Sequence, residues 1–299
     1  MVIKDFSIHP LAVADPPLRS SYGLHAPYAL RTLIRLDTTD GISGVAEAHG
    51  GEGSIAAFHA IREHVLGMDP FALHALWMRW GADQAEGDRS QTWLVPGENP
   101  HDARRRAFAA VEAACLDIIG KAVGKPVCDL LGGRARDAAP FSAYLFYKHA
   151  GGGGEVADAR EDEYGECLSP ESIVRQCRQM IAQYGFREIK LKGGVLDPGI
   201  EIETIRQLRA EFGPDYPLRI DPNCAWSVET SVRVGIALRE ELSGGGYLED
   251  PCAGLDGMAE VRRILLASGA DIPLASNVTV TGFEDILPAW RNDAVQIVL

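Results

Sequence analysis

A chain of 299 residues has room for one large domain or two ordinary ones, and its 46% hydrophobic and 24% charged residues are ordinary for a globular protein. The net charge of −13 argues against non-specific nucleic-acid binding, which needs a basic face to displace phosphate counterions. No apolar run approaches the ~20 residues of a membrane span, and Met1-Val-Ile-Lys-Asp5 lacks a signal-peptide core, so no membrane association is expected. Six scattered cysteines (115, 128, 167, 177, 224 and 252) form no CxxC pair, so reduced thiols in a cytoplasmic protein are expected.

The first ~50 residues read as strands. Thr32, Ile34 and Leu36 alternate with residues of the other face, and Asp40-Gly41 is a tight-turn signal before residues 42–47. The loop composition of His49-Gly-Gly-Glu-Gly53 follows. Asn99 suits an N-cap and Pro100 the first helical position, and Phe108, Val111, Cys115 and Ile118 then recur at helical steps. Residues 1–138 therefore read as an α+β domain, and residues 139–299 as a separate domain of a different, α/β kind. Within the latter, residues 144–147 read as a strand, and Ala150-Gly-Gly-Gly-Gly154 opens an acidic stretch read as an exposed flexible loop.

From Ser169-Pro170 the pattern turns regular. Helices over 173–184, 200–212, 228–242 and 258–268 alternate with short strands over 188–192, 217–221, 247–249, 273–277 and 294–299. Lys192, Asp221, Glu249 and Asn277 end successive strands at separations of 29, 28 and 28 residues. Such a repeat predicts parallel strands with helical crossovers, hence a (β/α) barrel of TIM type, with an open doubly wound sheet as the alternative.

Barrel strands gather their C-terminal ends into one mouth. A lone Asp or Asn there is as often a helix cap, but Lys, Asp, Glu and Asn at four successive ends are harder to explain so. Lys190 and Lys192 share one face of their strand, opposite Ile189 and Leu191. Burial and mutual repulsion should depress a lysine pKa and make a general base; the bland alternative is an edge strand with both lysines in solvent. Asp221, Glu249 and Asn277 offer three hard oxygen ligands, a set that suits Mg²⁺ and, without His or Cys, disfavours zinc.

Ile189-Lys-Leu-Lys-Gly-Gly-Val-Leu196, Ile220-Asp-Pro-Asn-Cys-Ala-Trp226, Tyr247-Leu-Glu-Asp-Pro-Cys252 and Ala275-Ser-Asn277 closely resemble the glucarate dehydratase branch of the enolase superfamily. So do His25-Ala-Pro-Tyr28, Gln91-Thr-Trp93 and Tyr144-Leu-Phe-Tyr147. The resemblance implies a capping domain before the barrel, and Asp221, Glu249 and Asn277 as Mg²⁺ ligands. It makes Lys192 the base and gives Lys190 the substrate carboxylate. It also sets Asn223 at the site and His25, Thr92 and Tyr144 on the distal part of an aldarate. The implied reaction dehydrates D-glucarate, or a related hexarate, to 5-dehydro-4-deoxy-D-glucarate. A homo-oligomer is implied by analogy. From the residues alone, His25 is equally a partly exposed surface histidine, Thr92 an ordinary loop threonine, and Cys224 a packing residue.

All eight histidines lie at or before His149. The family's second base, a His–Asp pair, would belong to two further strands after Leu299, so six of eight barrel strands are expected here. A non-catalytic or differently specific paralogue, for galactarate or another acid sugar, or an inactive truncated chain, is the alternative to a competent enzyme.

Overall fold

The computed structural model describes residues 1–81 and 100–299, and it divides into two units. One contains Met1–Val13 and Tyr28–Ala139; the other contains Ala14–Pro27 and Pro140–Leu299.

In the first unit, β1 (Ile3–Ala14), β4 (Tyr28–Thr38) and β5 (Ser43–His49) form a sheet in the order β1-β4-β5. Thr32, Ile34 and Leu36 of β4 are all buried, which is the expected alternation. The β4–β5 hairpin is antiparallel, pairing Leu36 with Gly44. Helices α1 (Glu52–Val65), α2 (Leu73–Trp80), α3 (Pro100–Val123) and the short α4 (Val127–Leu130) complete the unit. Phe108, Val111, Cys115 and Ile118 of α3 form its buried stripe and share a core with Ile34, Leu36, Phe58 and Ile61. Gly44 lets α3 lie directly on β5, since a Cβ there would run into the Ala114 carbonyl.

The second unit holds six parallel strands in sequence order. These are β6 (Ser142–Leu145), β7 (Glu188–Lys192), β8 (Leu218–Asp221), β9 (Tyr247–Glu249), β10 (Leu274–Ser276) and β11 (Ile297–Val298). The crossovers are α5 (Pro170–Tyr184), α6 (Pro198–Phe212), α7 (Val228–Ala237), α8 (Leu255–Ala267) and α9 (Phe283–Arg291). This is the expected barrel-type arrangement, with β6 and β11 as its edges. Helix starts are written in the sequence: the Ser169 side chain accepts from the Ser172 amide with Pro170 in the first turn, and Asp197 before Pro198 accepts from the Gly199 amide. Ile189, Leu191, Leu218, Ile220 and Leu248 fill the interface between sheet and helices. Each such side chain stabilises the fold by about 1.5–3 kcal/mol relative to exposure.

Two local readings change. The third helix ends at Ala237, because the Leu238 N–H is shared between the Val234 and Gly235 carbonyls and the chain tightens into turns. Leu238 and Leu242 stay buried, so the apolar pattern outlasts the helix. The stretch after Ala150 is not free chain. Gly153 and Arg160 exchange backbone hydrogen bonds of 3.0 and 2.8 Å, and Lys148 and Cys167 exchange two of 3.0 Å. Its glycines permit close approach, since a Cβ on Gly152 would strike the Arg160 carbonyl. No helix among the described residues is long and apolar enough to cross a membrane.

Candidate functional site

Strand register aligns the site. Lys192 of β7 pairs with Asp221 of β8, Ile220 with Leu248 one step earlier, and Glu249 of β9 with Ala275 of β10. The C-terminal ends of four strands therefore form one row. β7 lies between β6 and β8, which excludes the edge-strand reading of its lysines. Ile189 and Leu191 are buried with the helices, and Lys190 and Lys192 take the other face.

The two ammonium groups meet carboxylates rather than each other. Lys192 Nζ donates to Asp221 Oδ2 at 2.7 Å. Lys190 Nζ donates to Glu249 Oε2 at 2.6 Å and stands 3.1 Å from Asp221 Oδ2. Burial pushes the Lys190 pKa down, but the charges of Asp221 and Glu249 outweigh it, and the net shift is upward. The expected depression is therefore absent from Lys190 in this state, because the facing strands supply counter-charge. Glu249 is fully buried, and burial together with the Asp221 charge lifts its carboxyl to about 7 against the pull of Lys190. Asp221 is held below the usual carboxylate range: the two lysines and the Asn223 amide overcome its burial.

Asn223 and Cys224 follow in left-handed backbone, at φ +48 and +59, which turns the chain back toward the strand ends. The Cys224 amide donates to the Asp250 carbonyl at 2.7 Å, and burial pushes its thiol up to about 12, in keeping with packing. Asn277 lies just beyond β10 with an exposed side chain, and its amide donates to Asp250 Oδ2 at 2.9 Å. Tyr144 stands under Lys190, with the ammonium 5.0 Å from its ring centroid. Burial and the charges of Asp221 and Glu249 push the Tyr144 hydroxyl up. His25 contacts Ser20 Oγ at 3.2 Å through Nε2, lies 3.6 Å from Asp15 Oδ2 through Nδ1, and packs edge-on to Phe146. Phe146 in turn touches Tyr144. Thr92 falls outside the described residues.

Two carboxylates with an amide nearby make a small oxygen-rich set; no cluster of three His, Cys, Asp or Glu suited to a metal exists among the described residues. The set does fit a hard divalent cation. Glu249 Oε1 and Asn223 Oδ1 are buried without a hydrogen-bond partner in the structure, and the Lys190 ammonium already bridges the two carboxylates.

Sequence reasoning missed three residues of the site. Tyr22 places its ring 6.0 Å from Lys192 Nζ, and its hydroxyl is pushed up by burial and, after the opposing Ser20 contact, by the Asp221 charge. Asp250, beside Glu249, points away and collects Ser276 Oγ at 2.6 Å and the Asn277 and Val278 amides. Glu201, fully buried, accepts from the amides of Gly194, Val195 and Leu196 at 2.9–3.0 Å, fixing the loop after Lys192. Only Glu201 had a readable signal: an acid in the first helical turn after a glycine-rich loop.

Comparison with known proteins bears on the same arrangement. Residues 9–132 match the mandelate racemase/muconate lactonizing enzyme N-terminal domain, and residues 172–299 match the enolase C-terminal domain-like family. A probable glucarate dehydratase of Streptomyces coelicolor is 39% identical over 100% of this chain and 68% of its own length. A crystal structure of an enolase from Thermobispora bispora, complexed with magnesium and formate, superposes with a TM-score of 0.88 at 44% identity, covering 100% of this chain and 68% of the other. An enolase from Pseudomonas fluorescens with bound magnesium, potassium and tartrate gives 0.87 at 38% identity, covering 99% and 68%. The chain thus spans about two thirds of the length of these relatives.

Proposed function

Because the chain belongs to the mandelate racemase and muconate lactonizing enzyme family of the enolase superfamily, we propose that it is a magnesium-dependent acid-sugar dehydratase acting on D-glucarate or a related hexarate. The observation that carries this reading is the pair Lys190–Lys192 set against Asp221 and Glu249 at the mouth of a parallel sheet. The magnesium and tartrate bound by the Pseudomonas relative support it, tartrate being a hydroxylated dicarboxylate.

Asp221, Glu249 and Asn277 would hold the ion, which supplies positive charge for the carboxylate whose α-carbon is deprotonated. Were both carboxylates so engaged, Lys190 and Lys192 would lose the partners they now have in Asp221 and Glu249. The buried Lys192 and the partly buried Lys190 would then stand side by side, facing the substrate carboxylate and its α-carbon. Lys192 takes the proton from the carbon beside the substrate carboxylate, and Lys190 contacts that carboxylate. The neighbouring hydroxyl departs as water by taking up the proton that Lys192 removed, and the enol left behind ketonises to a 2-keto acid. Asn223 with its free Oδ1, Tyr144 and His25 line the substrate, and Thr92 joins them on the strength of the sequence resemblance. The capping role of residues 1–138, the barrel role of 139–299, a cytoplasmic location and a homo-oligomer belong to the same proposal.

The test is incubation of the protein with D-glucarate and Mg²⁺ and detection of a 2-keto acid. Lys192→Ala should abolish the product while Mg²⁺ binding, measured by calorimetry, is kept or tightened, since Lys192 is not a ligand and its ammonium competes for Asp221 Oδ2. Absence of product across a panel of hexarates, from a protein that binds Mg²⁺, would sink the dehydratase reading.

A further inference from the structure

The glycine-rich stretch after Ala150 plays no part in the chemistry above, yet it is anchored by an ion pair that is expensive to bury. Lys148 Nζ lies 2.6 Å from Asp162 Oδ2, with the lysine side chain 1% and the aspartate 6% exposed. The same ammonium stands 4.8 Å over the Tyr164 ring. Two charges withdrawn from water need a structural return, because desolvation offsets most of their attraction.

The segment bracketed by this pair is laced to residues 14–27. The Gly154 amide donates to the Pro27 carbonyl at 2.8 Å and the His149 amide to the Pro17 carbonyl at 3.2 Å, and immediately before the segment the Arg19 amide donates to the Tyr147 carbonyl at 2.8 Å. Leu18 and Lys148 form a β-bridge. Gly153 packs so tightly on Asp15 that a Cβ would strike its backbone. Residues 14–27 contain only the two-residue strands β2 (Arg19–Ser20) and β3 (Gly23–Leu24), so they have little regular structure of their own. They nevertheless carry Tyr22, beside Lys192, and His25, beside Phe146.

We propose that residues 148–167 form a clamp, closed by the Lys148–Asp162 pair, that fixes residues 14–27 against the strand ends and so holds Tyr22 beside Lys192 and His25 beside Phe146. Lys148 and Asp162 are positioning residues: they act through the segment and touch no reacting atom. The kinetic part of this inference rests on the dehydratase reading; the structural part does not.

The test uses the full chain with Asp162→Asn, which removes the charge and keeps the shape, and separately Gly153→Ala, which presses on Asp15 without touching the ion pair. Backbone hydrogen exchange is followed in peptides covering residues 14–27 and in those covering β7 to β10. Both variants should speed exchange about tenfold or more at Asp15, Arg19 and His25, with the strands unchanged. Against D-glucarate and Mg²⁺, both should raise KM about tenfold with kcat within about threefold, as expected when a substrate-lining segment is loosened. Asp162→Glu, which keeps the charge, should recover most of the KM. Unchanged exchange at residues 14–27 in both variants overturns the clamp, as does equal acceleration in the strands. Faster exchange with an unaltered KM overturns its role in holding the substrate-lining residues. If the unaltered protein turns over no hexarate, the dehydratase reading fails, and exchange alone still decides whether the clamp exists.

Discussion

Asp250 makes the sharpest stability prediction. It is fully buried and accepts from Ser276 Oγ at 2.6 Å, the Asn277 amide at 2.9 Å and the Val278 amide at 3.1 Å. Hydrogen bonds to a charged acceptor each contribute about 1.5–3 kcal/mol, and a buried donor left unpaired costs about 1–3 kcal/mol. The burial that pushes the Asp250 pKa up offsets part of this sum. Its φ of +38 adds a backbone strain of about 1 kcal/mol for alanine, which asparagine tolerates better. Asp250→Ala should therefore lose about 3–5 kcal/mol. Asp250→Asn keeps a carbonyl oxygen for the two amides and should lose about 1–2 kcal/mol. Urea unfolding with an unchanged m-value measures both. Mg²⁺ affinity should fall with the alanine variant, because Asn277 loses the bond that fixes its backbone. A loss below about 1 kcal/mol for alanine, or equal losses for the two variants, would refute this account of Asp250.

Two further outcomes follow from the charges at the strand ends. Lys190→Met should tighten Mg²⁺ binding about tenfold by calorimetry, since the ammonium now occupies Glu249 Oε2 and repels a second cation; weaker binding would contradict the competition. In metal-free protein, Glu249 titrates near 7 rather than 4.5, and Asp250 also lies above its ordinary 3.8. At Glu249 the folded chain then holds more protons than the unfolded one between these values, so stability from this group should fall as pH rises from about 5 to about 7, and Asp250 acts in the same direction above 3.8. Asp221, held low, acts oppositely, giving stability that is present above 3.8 and lost on further acidification. Urea midpoints over this range, with and without Mg²⁺, check the sign, and a metal-free midpoint that climbs from pH 5 to 7 would reverse it.

The parallel sheet was legible because two periods coincide in the sequence. Polar strand ends recur every 28 or 29 residues, and helical apolar spacing fills the gaps. Each strand is short enough that its last residue must lie at the mouth, so Lys192, Asp221 and Glu249 could be placed by counting. The loop after Ala150 is exposed as its composition implies, but its tethering was not legible, because composition reports what glycine permits and not what meets it. The same four glycines that suit a mobile loop also let Gly152 touch Arg160 and Gly153 touch Asp15.

The expectation of a depressed pKa fails at Lys190 for a related reason. Alternation along β7 puts Lys190 and Lys192 on one face, and from that strand alone only their mutual repulsion is visible. The deciding charges come from β8 and β9, whose register brings Asp221 Oδ2 within 3.1 Å of one ammonium and 2.7 Å of the other. A group's pKa depends on every strand that faces it, whereas sequence spacing reports only its own. Tyr22 is the extreme case. It sits where no period of two or 3.6 exists, and its position beside Lys192 follows from bonds such as that between the Arg19 amide and the Tyr147 carbonyl. A site built from strand ends can be read by counting, while the groups that cover it are placed by contacts distant in the chain, and those leave no spacing to count.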